Sequence, residues 1–165
     1  MPSALVADDL VIAVGPKYST LFALRPKGTG LLGDEAVAWR VERKTPDAST
    51  PLYYKGRLFF LDDDRRIITC TDPKTGQTQW QGELPGRGVI RASLTGADDK
   101  LYVISELREA TVLAAGDEFK ILHQTKLGAT GRGFTRSTIV AAGGRLFIRT
   151  SDNLYCISHP EKAGK

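Results

Sequence analysis

One phrase decides the fold and occurs four times, as ADDLVIAV (Ala7–Val14), YKGRLFFL (Tyr54–Leu61), ADDKLYVI (Ala97–Ile104) and AGGRLFIR (Ala142–Arg149). In each copy a polar or glycine-containing turn precedes a short apolar strand. The alignment matches Leu10, Leu58, Leu101 and Leu146, at spacings of 48, 43 and 45 residues. A period of this length, made of short strands, is typical of β-propeller blades. A blade cannot bury its own faces, so the sequence predicts that four blade units pack on one another.

Each unit is predicted to contain up to four strands, named A to D from the propeller axis outward, in an all-β fold. One domain spans 1–165, with units at approximately 3–44, 48–84, 89–127 and 136–158. Strands B and C of the first unit are predicted over Leu10–Val14 and Thr20–Leu24, and strand C of the second unit over Ile67–Thr71. Strand A of the third unit is predicted over Ile90–Thr95. The fourth unit is predicted to lack strand D, because Pro160 and the polar tail 159–165 offer no apolar face. We therefore expect half of an eight-bladed ring, cut from a longer propeller.

Composition excludes several classes of protein. The chain has 165 residues, of which 41% are hydrophobic and 25% charged, as in ordinary folded domains. Its apolar runs are too short to span a membrane, and its amino terminus does not resemble a signal peptide. The net charge of +4 comes from scattered basic residues, so nucleic-acid binding is not expected.

The second unit carries the most specific motif, ITCTDPKTGQTQW (Ile68–Trp80). It resembles the D-x-x-T-G-x-x-x-W repeat of the pyrroloquinoline-quinone-like (PQQ-like) propellers, which include quinoprotein dehydrogenases and bacterial BamB-like repeat proteins. We expect Asp72 to accept hydrogen bonds from the turn that contains Thr75, Gly76 to adopt positive φ, and Trp80 to cover a seam between blades. The first unit keeps Trp39, and the third has Leu122 where a Trp would stand.

The resemblance implies a function but not a cofactor. A BamB-like chain would be a non-enzymatic periplasmic or extracytoplasmic module for protein–protein interaction, scaffolding or ligand binding. Alternatives are a fragment of a PQQ- and calcium-dependent quinoprotein dehydrogenase, or an extracytoplasmic sensory domain of a larger protein. Neither PQQ nor calcium is expected, because the adjacent cysteines and calcium ligands of the dehydrogenases have no counterparts here. The expected partner is a protein, such as the missing propeller half or a second copy that completes an eight-bladed ring.

A second repeat suggests a binding site at the channel mouth. GRGVIRAS (86–93) returns 45 residues later as GRGFTRST (131–138), and each copy leads into a strand A. The repeated arginines are Arg87, Arg91, Arg132 and Arg136. Guanidinium groups suit carboxylates and phosphates, so these side chains predict a site for an anion or an acidic peptide. The alternative is that they are solvated or bond to neighbouring blades.

Other polar clusters favour structural roles. Asp62, Asp63 and Asp64 could hold calcium, but a solvated hairpin turn is the favoured interpretation. His123 and His159 are too isolated to suggest catalysis or a metal site. Cys70 and Cys156 both fall in a strand C without a CxxC spacing, so we expect two small buried side chains.

Overall fold

The computed structural model describes residues 2–15, 20–43, 45–128 and 133–158. Blade 1 contains β1 (Leu5–Ala7), β2 (Leu10–Val14), β3 (Thr20–Leu24) and β4 (Val37–Glu42), with a 3₁₀ turn at Asp34–Ala36. Blade 2 contains β5 (Leu52–Tyr54), β6 (Arg57–Asp62), β7 (Ile67–Thr71) and β8 (Thr78–Glu83). Blade 3 contains β9 (Thr95–Ala97), β10 (Lys100–Ile104), β11 (Glu109–Ala114) and β12 (Ile121–Lys126). Blade 4 contains β13 (Val140–Ala142), β14 (Arg145–Arg149) and β15 (Leu154–Ser158).

Each blade is an antiparallel meander in chain order. Blades 1 to 3 have four strands, and blade 4 has three within the described residues. The predicted all-β partial propeller is therefore confirmed. The predicted bounds of strand A in blade 3 are wrong, because the strand runs over Thr95–Ala97 and shares only Thr95 with the predicted Ile90–Thr95. The preceding residues bond elsewhere, because the backbone N–H of Ile90 donates to the carbonyl of Asp63 in blade 2.

Two-residue turns fix the register of the A–B hairpins. In blade 2 both Lys55 and Gly56 have positive φ, at 51° and 72°, as a type I′ turn requires. The residues that follow the four turns are equivalent: Leu10, Arg57, Lys100 and Arg145. The predicted alignment of Leu10 with Leu58 is therefore wrong by one residue, and Val11 is the counterpart of Leu58.

The hydrophobic core lies in layers between successive blades. Alternation along β6 directs Leu58 and Phe60 into a cluster with blade 1, and Phe59 and Leu61 into a cluster with blade 3. A third cluster, which includes Ile104 and Ile148, joins blades 3 and 4. Successive side chains of a strand point to opposite faces, so each inner blade contributes to two layers. Cohesion of the chain therefore depends on blade-to-blade junctions.

Candidate functional site

The repeat motif of blade 2 forms the turn between β7 and β8. The Asp72 carboxylate accepts hydrogen bonds from the backbone N–H groups of Lys74 at 2.8 Å and Thr75 at 2.9 Å. These bonds, with that from Thr75 foremost, lower the pKa of Asp72. Gly76 has φ +74°, and a Cβ there would lie 2.7 Å from the Trp39 ring. Glycine thus serves both the backbone conformation and the contact with blade 1.

Two tryptophans join neighbouring blades in the same way. The indole N–H of Trp39 in blade 1 donates to the carbonyl of Pro73 in blade 2 at 2.9 Å. The indole N–H of Trp80 in blade 2 donates to the carbonyl of Gly116 in blade 3, also at 2.9 Å. The Trp80 ring lies between Phe59 and Phe119, with centroid separations of 5.8 and 5.9 Å. Each indole therefore combines apolar packing with a hydrogen bond across a seam.

The third blade has His123, not Leu122, at the tryptophan position. Trp80 pairs with Cys70, and His123 pairs with Val112, each beside a β-bulge. The following residues agree, because the amides of Gln81 and Gln124 donate to Thr69 and Thr111 respectively. The bulge is the same in both blades, but the connection from Leu113 to its partner Ile121 is one residue longer than that from Thr71 to Thr78, so a fixed spacing points to Leu122 and not His123. His123 is exposed.

The acidic cluster between β6 and β7 is mostly buried, so the prediction of a solvated turn is wrong for two of its carboxylates. Asp62 is 5% exposed and Asp63 is fully buried. The Asp63 carboxylate accepts hydrogen bonds from the backbone N–H groups of Asp47, Ala48 and Ser49, and from the Ser49 hydroxyl. This carboxylate thus organises the connection that enters blade 2.

Two buried arginines that sequence reasoning missed lie immediately before strand C. Arg66 donates to the carbonyls of Leu84 at 3.1 Å and Gly88 at 2.6 Å, in the connection to blade 3. Burial lowers the pKa of Arg66. Arg108 occupies the same place in blade 3, is 3% exposed, and approaches Asp152 of blade 4 at 3.9 Å. The signal available in sequence is an Arg just before strand C in both units.

Three of the four predicted binding arginines are described by the structure, and they lie in the connections between blades, close to acidic residues. Arg91 contacts Asp47 at 3.2 Å and Asp64 at 3.1 Å. Arg136 contacts Glu106 at 2.7 Å, and its side chain is 69% exposed. Arg87 is exposed, and its backbone N–H donates to Glu109. Arg132 lies outside the described residues.

Arg91 and Arg136 make equivalent contacts. Each precedes a blade and reaches an acidic residue in the B–C turn of the blade before it, Asp64 or Glu106. Carboxylates beside a guanidinium offset its charge and compete with an incoming anion. This arrangement favours junction contacts over an anion site, and anion binding stays a prediction.

Blade 4 has an exposed apolar face, which we call the blade-4 face and define as Val140, Phe147, Leu154 and Cys156. When the strand pairings of the two blades are aligned, these residues occupy the positions of Leu52, Phe59, Ile68 and Cys70 in blade 2. In blade 2 all four belong to the layer shared with blade 3. In blade 4, Val140 is 55% and Leu154 is 70% exposed. One counterpart differs in polarity, because Arg149 replaces Leu61.

The two cysteines differ in environment although they share a register position. Cys70 is fully buried, and burial raises the pKa of its thiol to about 11. Cys156 is exposed, so the prediction that both thiols are buried is wrong for this one. The difference follows from the neighbours: blade 3 covers Cys70, whereas no described residue forms a further blade over Cys156.

Within the described parts of the chain, no group of three or more His, Cys, Asp or Glu side chains could hold a metal ion. The same residues contain no helix that is long and apolar enough to cross a membrane.

A sequence model of the family described as outer membrane protein assembly factor BamB matches residues 64–162, which is more than half of the chain. The chain belongs to the BamB family. This membership confirms the PQQ-like repeat resemblance that the motif of blade 2 indicated. A search of curated proteins gives no significant match to this BamB-family chain.

Solved structures similar to this BamB-family chain share its fold at low sequence identity. BamB from Moraxella catarrhalis matches with a TM-score of 0.70 and 16% identity, over 94% of this chain and 44% of that protein. Quinohemoprotein alcohol dehydrogenase ADHIIG from Pseudomonas putida HK5 gives 0.68 and 15%, over 89% of this chain and 28% of the enzyme. The computationally designed Ika4 protein gives 0.68 and 9%, over 94% of this chain and 88% of its own. The chain thus spans less than half of the two natural proteins.

Proposed function

We propose that this chain is a non-enzymatic interaction module that acts outside the cytoplasm in the assembly of outer membrane proteins. The observation that carries the proposal is the blade-4 face, through which the module would join a protein partner. Membership of the BamB family supplies the process, because the family is described as an outer membrane protein assembly factor.

The blade-4 face has the character of an interface. Its counterparts Phe59, Ile68 and Cys70 in blade 2 are fully buried. Val140 and Leu154 expose apolar surface at register positions whose counterparts in blade 2 pack against blade 3. Contiguous exposed apolar patches on soluble proteins mark interaction sites. No strand of the described residues pairs with the outer edge of β15, so this edge adds backbone groups that another strand can pair with.

The charged side chains of the described residues support the non-enzymatic proposal. Arg91 and Arg136 contact carboxylates, and Asp63 accepts backbone hydrogen bonds. These groups are thereby engaged in holding blade connections together. Such engagement favours structural roles over acid–base or nucleophilic ones.

The test is complementation in the bacterium that encodes the chain. Deletion of the gene is expected to reduce the amount of folded, heat-modifiable outer membrane proteins, and the wild-type gene is expected to restore it. A Val140→Asp/Leu154→Asp variant should fail to restore it, because charge on the blade-4 face opposes apolar docking. The matched control is Leu122→Asp, on an exposed side chain of β12. Normal outer membrane protein levels in the deletion strain would refute the proposal.

A dehydrogenase role is the second candidate, favoured by the likeness to the quinohemoprotein enzyme. A distinct measurement separates it from the first. The purified chain is mixed with PQQ and calcium, and quinone absorbance and dye-linked alcohol oxidation are recorded. Turnover above that of PQQ and calcium alone would overturn the non-enzymatic proposal.

A further inference from the structure

A chain of hydroxyl contacts runs from blade to blade along the inner strands. The backbone N–H of Ser3 donates to the Thr50 hydroxyl at 3.0 Å. The N–H of Thr50 donates to the Ser93 hydroxyl at 2.9 Å, and that of Ser93 to the Thr138 hydroxyl at 3.1 Å. We call this series the hydroxyl relay. Each member lies two residues before its strand A, so the contact repeats with the blade.

The hydroxyl relay has two ends of complementary chemistry. At blade 1 the Ser3 hydroxyl receives no N–H from a described residue, and at blade 4 the Thr138 N–H has no acceptor among them. The three observed links each join an N–H of one blade to a hydroxyl of the next. A fourth link of the same kind therefore requires a Ser or Thr hydroxyl beyond Thr138, and an N–H before Ser3.

Blade 1 carries an apolar surface on the side that does not face blade 2. We define the blade-1 face as Val6, Val11 and Ala13. By register these residues correspond to Tyr53, Leu58 and Phe60, which pack against blade 1 in the observed junction. Val6 is 66% exposed, and the other two are half-buried. Blade 1 thus offers the surface that a blade following blade 4 would need.

We propose that a second copy of this chain supplies that blade. Blade 4 of each copy packs on blade 1 of the other, and the Thr138 N–H donates to the Ser3 hydroxyl of the second copy. Two four-bladed copies then form an eight-bladed ring with two identical new junctions, related by a two-fold axis. The inference rests on the proposed function only in using the blade-4 face for interaction. Its support is continuity with the three junctions within one chain.

Molar mass in solution is the first test. Light scattering after size-exclusion chromatography should give about twice the 18.0 kDa of one chain at high protein concentration. Dilution should return the mass toward one chain. A mass of one chain at every concentration would overturn the proposal, since the faces would then be free or reserved for another occupant. A mass above two chains would overturn it as well, because closure permits only two.

Single-face variants test the geometry. Val6→Asp alters the blade-1 face and Leu154→Asp the blade-4 face, and both side chains are largely exposed, so folding should survive. Each variant alters both junctions, and a new carboxylate must lose its hydration to enter an apolar layer, so dimerisation should weaken by at least about tenfold. An equimolar mixture should recover part of the dimer, because one junction of the mixed ring joins two unaltered faces. Leu122→Asp is the control, and a dimer that resists both variants would contradict this arrangement.

Cys156 reports closure of the ring directly. Its counterpart Cys70 is fully buried by the neighbouring blade, so Cys156 should be protected in the dimer. Its reaction with a thiol reagent should slow as wild-type concentration rises, and should be independent of concentration in Leu154→Asp. A monomeric chain whose Val140→Asp/Leu154→Asp variant still fails to support outer membrane protein assembly would end this inference and leave the proposed function standing. A dimer together with normal assembly in the deletion strain would do the reverse.

Discussion

Asp63 lies in a highly charged turn, yet its carboxylate is buried and holds a neighbouring connection in place by hydrogen bonds. Three backbone N–H groups and one hydroxyl, contributed by Asp47, Ala48 and Ser49, bind its two oxygens. The sequence predicted a polar turn but could not reveal this burial. The donors are about 15 residues away in sequence, and the contact depends on how the connection to blade 2 returns to the turn.

Replacing Asp63 tests that role. Asp63→Asn keeps the size but removes the charge and one acceptor, so we expect a loss of about 2–4 kcal/mol in the free energy of unfolding. The measurement is equilibrium denaturation in urea. Asp9→Asn, at an exposed position in the A–B turn of blade 1, is the control and should change stability by less than about 0.5 kcal/mol. Equal effects of the two variants would contradict the structural role.

Gly76 combines two constraints that can be separated by a matched glycine. Gly76 and Gly56 have nearly the same φ, +74° and +72°, but a Cβ at Gly56 would meet nothing within 4 Å. Alanine at either position should cost about 1 kcal/mol for the backbone. Gly76→Ala should cost a further 1–3 kcal/mol or so, because the Trp39 ring must move. Urea denaturation measures both, and equal losses would exclude the Trp39 contact as a cause.

Cys70 makes a pH-dependent contribution to the free energy of unfolding, and the raised pKa of its buried thiol sets the sign of that dependence. Burial raises the pKa from its ordinary value of 9.0 to about 11 in the folded chain. As pH rises, the thiol loses its proton in the unfolded chain before it does so in the folded chain, and this favours unfolding. The contribution of the buried thiol to the free energy of unfolding is therefore complete below pH 9 and is lost as pH rises from about 9 to about 11. Wild type and Cys70→Ala are compared by urea denaturation from pH 7 to pH 11. The stability difference between them should shrink over that interval, and a constant difference would contradict the assignment.

Strands were predictable where one element carries its own pattern. The B and C strands have alternating or continuous apolar residues and short turns, and β2, β3 and β7 begin and end at the predicted residues. The sequence-based predictions were wrong where a residue bonds to a strand or connection that is distant in sequence. Strand A of blade 3 starts late because Ile90 bonds to blade 2, and a connection before β12 that is one residue longer than in blade 2 places His123 at the tryptophan position. Burial of Arg66 was equally invisible in the sequence, since the carbonyls that accept its hydrogen bonds belong to Leu84 and Gly88 in the connection to blade 3.

The arginine repeat was found in sequence, but its surroundings were not. Arg91 is partly buried between two carboxylates, whereas Arg136 is mostly exposed beside one. We expect Arg91→Gln to cost about 1–2 kcal/mol and Arg136→Gln less than about 1 kcal/mol in urea denaturation.

The double variant also tests the predicted anion site, with phosphate and an acidic peptide as probes in calorimetry. Binding by wild type that the double variant loses would establish that site, and unchanged affinity would exclude it.

At the scale of the whole molecule, stability depends on junctions between blades. The three apolar layers formed by the described residues are local to neighbouring blades, as in other repeat proteins, so blades 1 and 4 each have one junction within this part of the chain. Self-association would give both terminal blades a second junction and favour the folded chain by mass action. The melting temperature of wild type should therefore rise with protein concentration in calorimetry, and that of Leu154→Asp should not. A concentration-independent value for wild type would argue against ring closure.

The hydroxyl relay also bears on how such a protein can be rebuilt genetically. Ser3, Thr50, Ser93 and Thr138 occupy the same position before strand A of each blade, so this hydrogen bond by itself does not distinguish one blade from another. A head-to-tail gene fusion of two copies with a flexible linker would place Thr138 of the first copy beside Ser3 of the second. The same hydrogen bonds would also be kept if the chain termini were moved to another connection between blades. Duplication of the gene and circular permutation of the chain are thus both compatible with the same N–H to hydroxyl hydrogen bonds between blades.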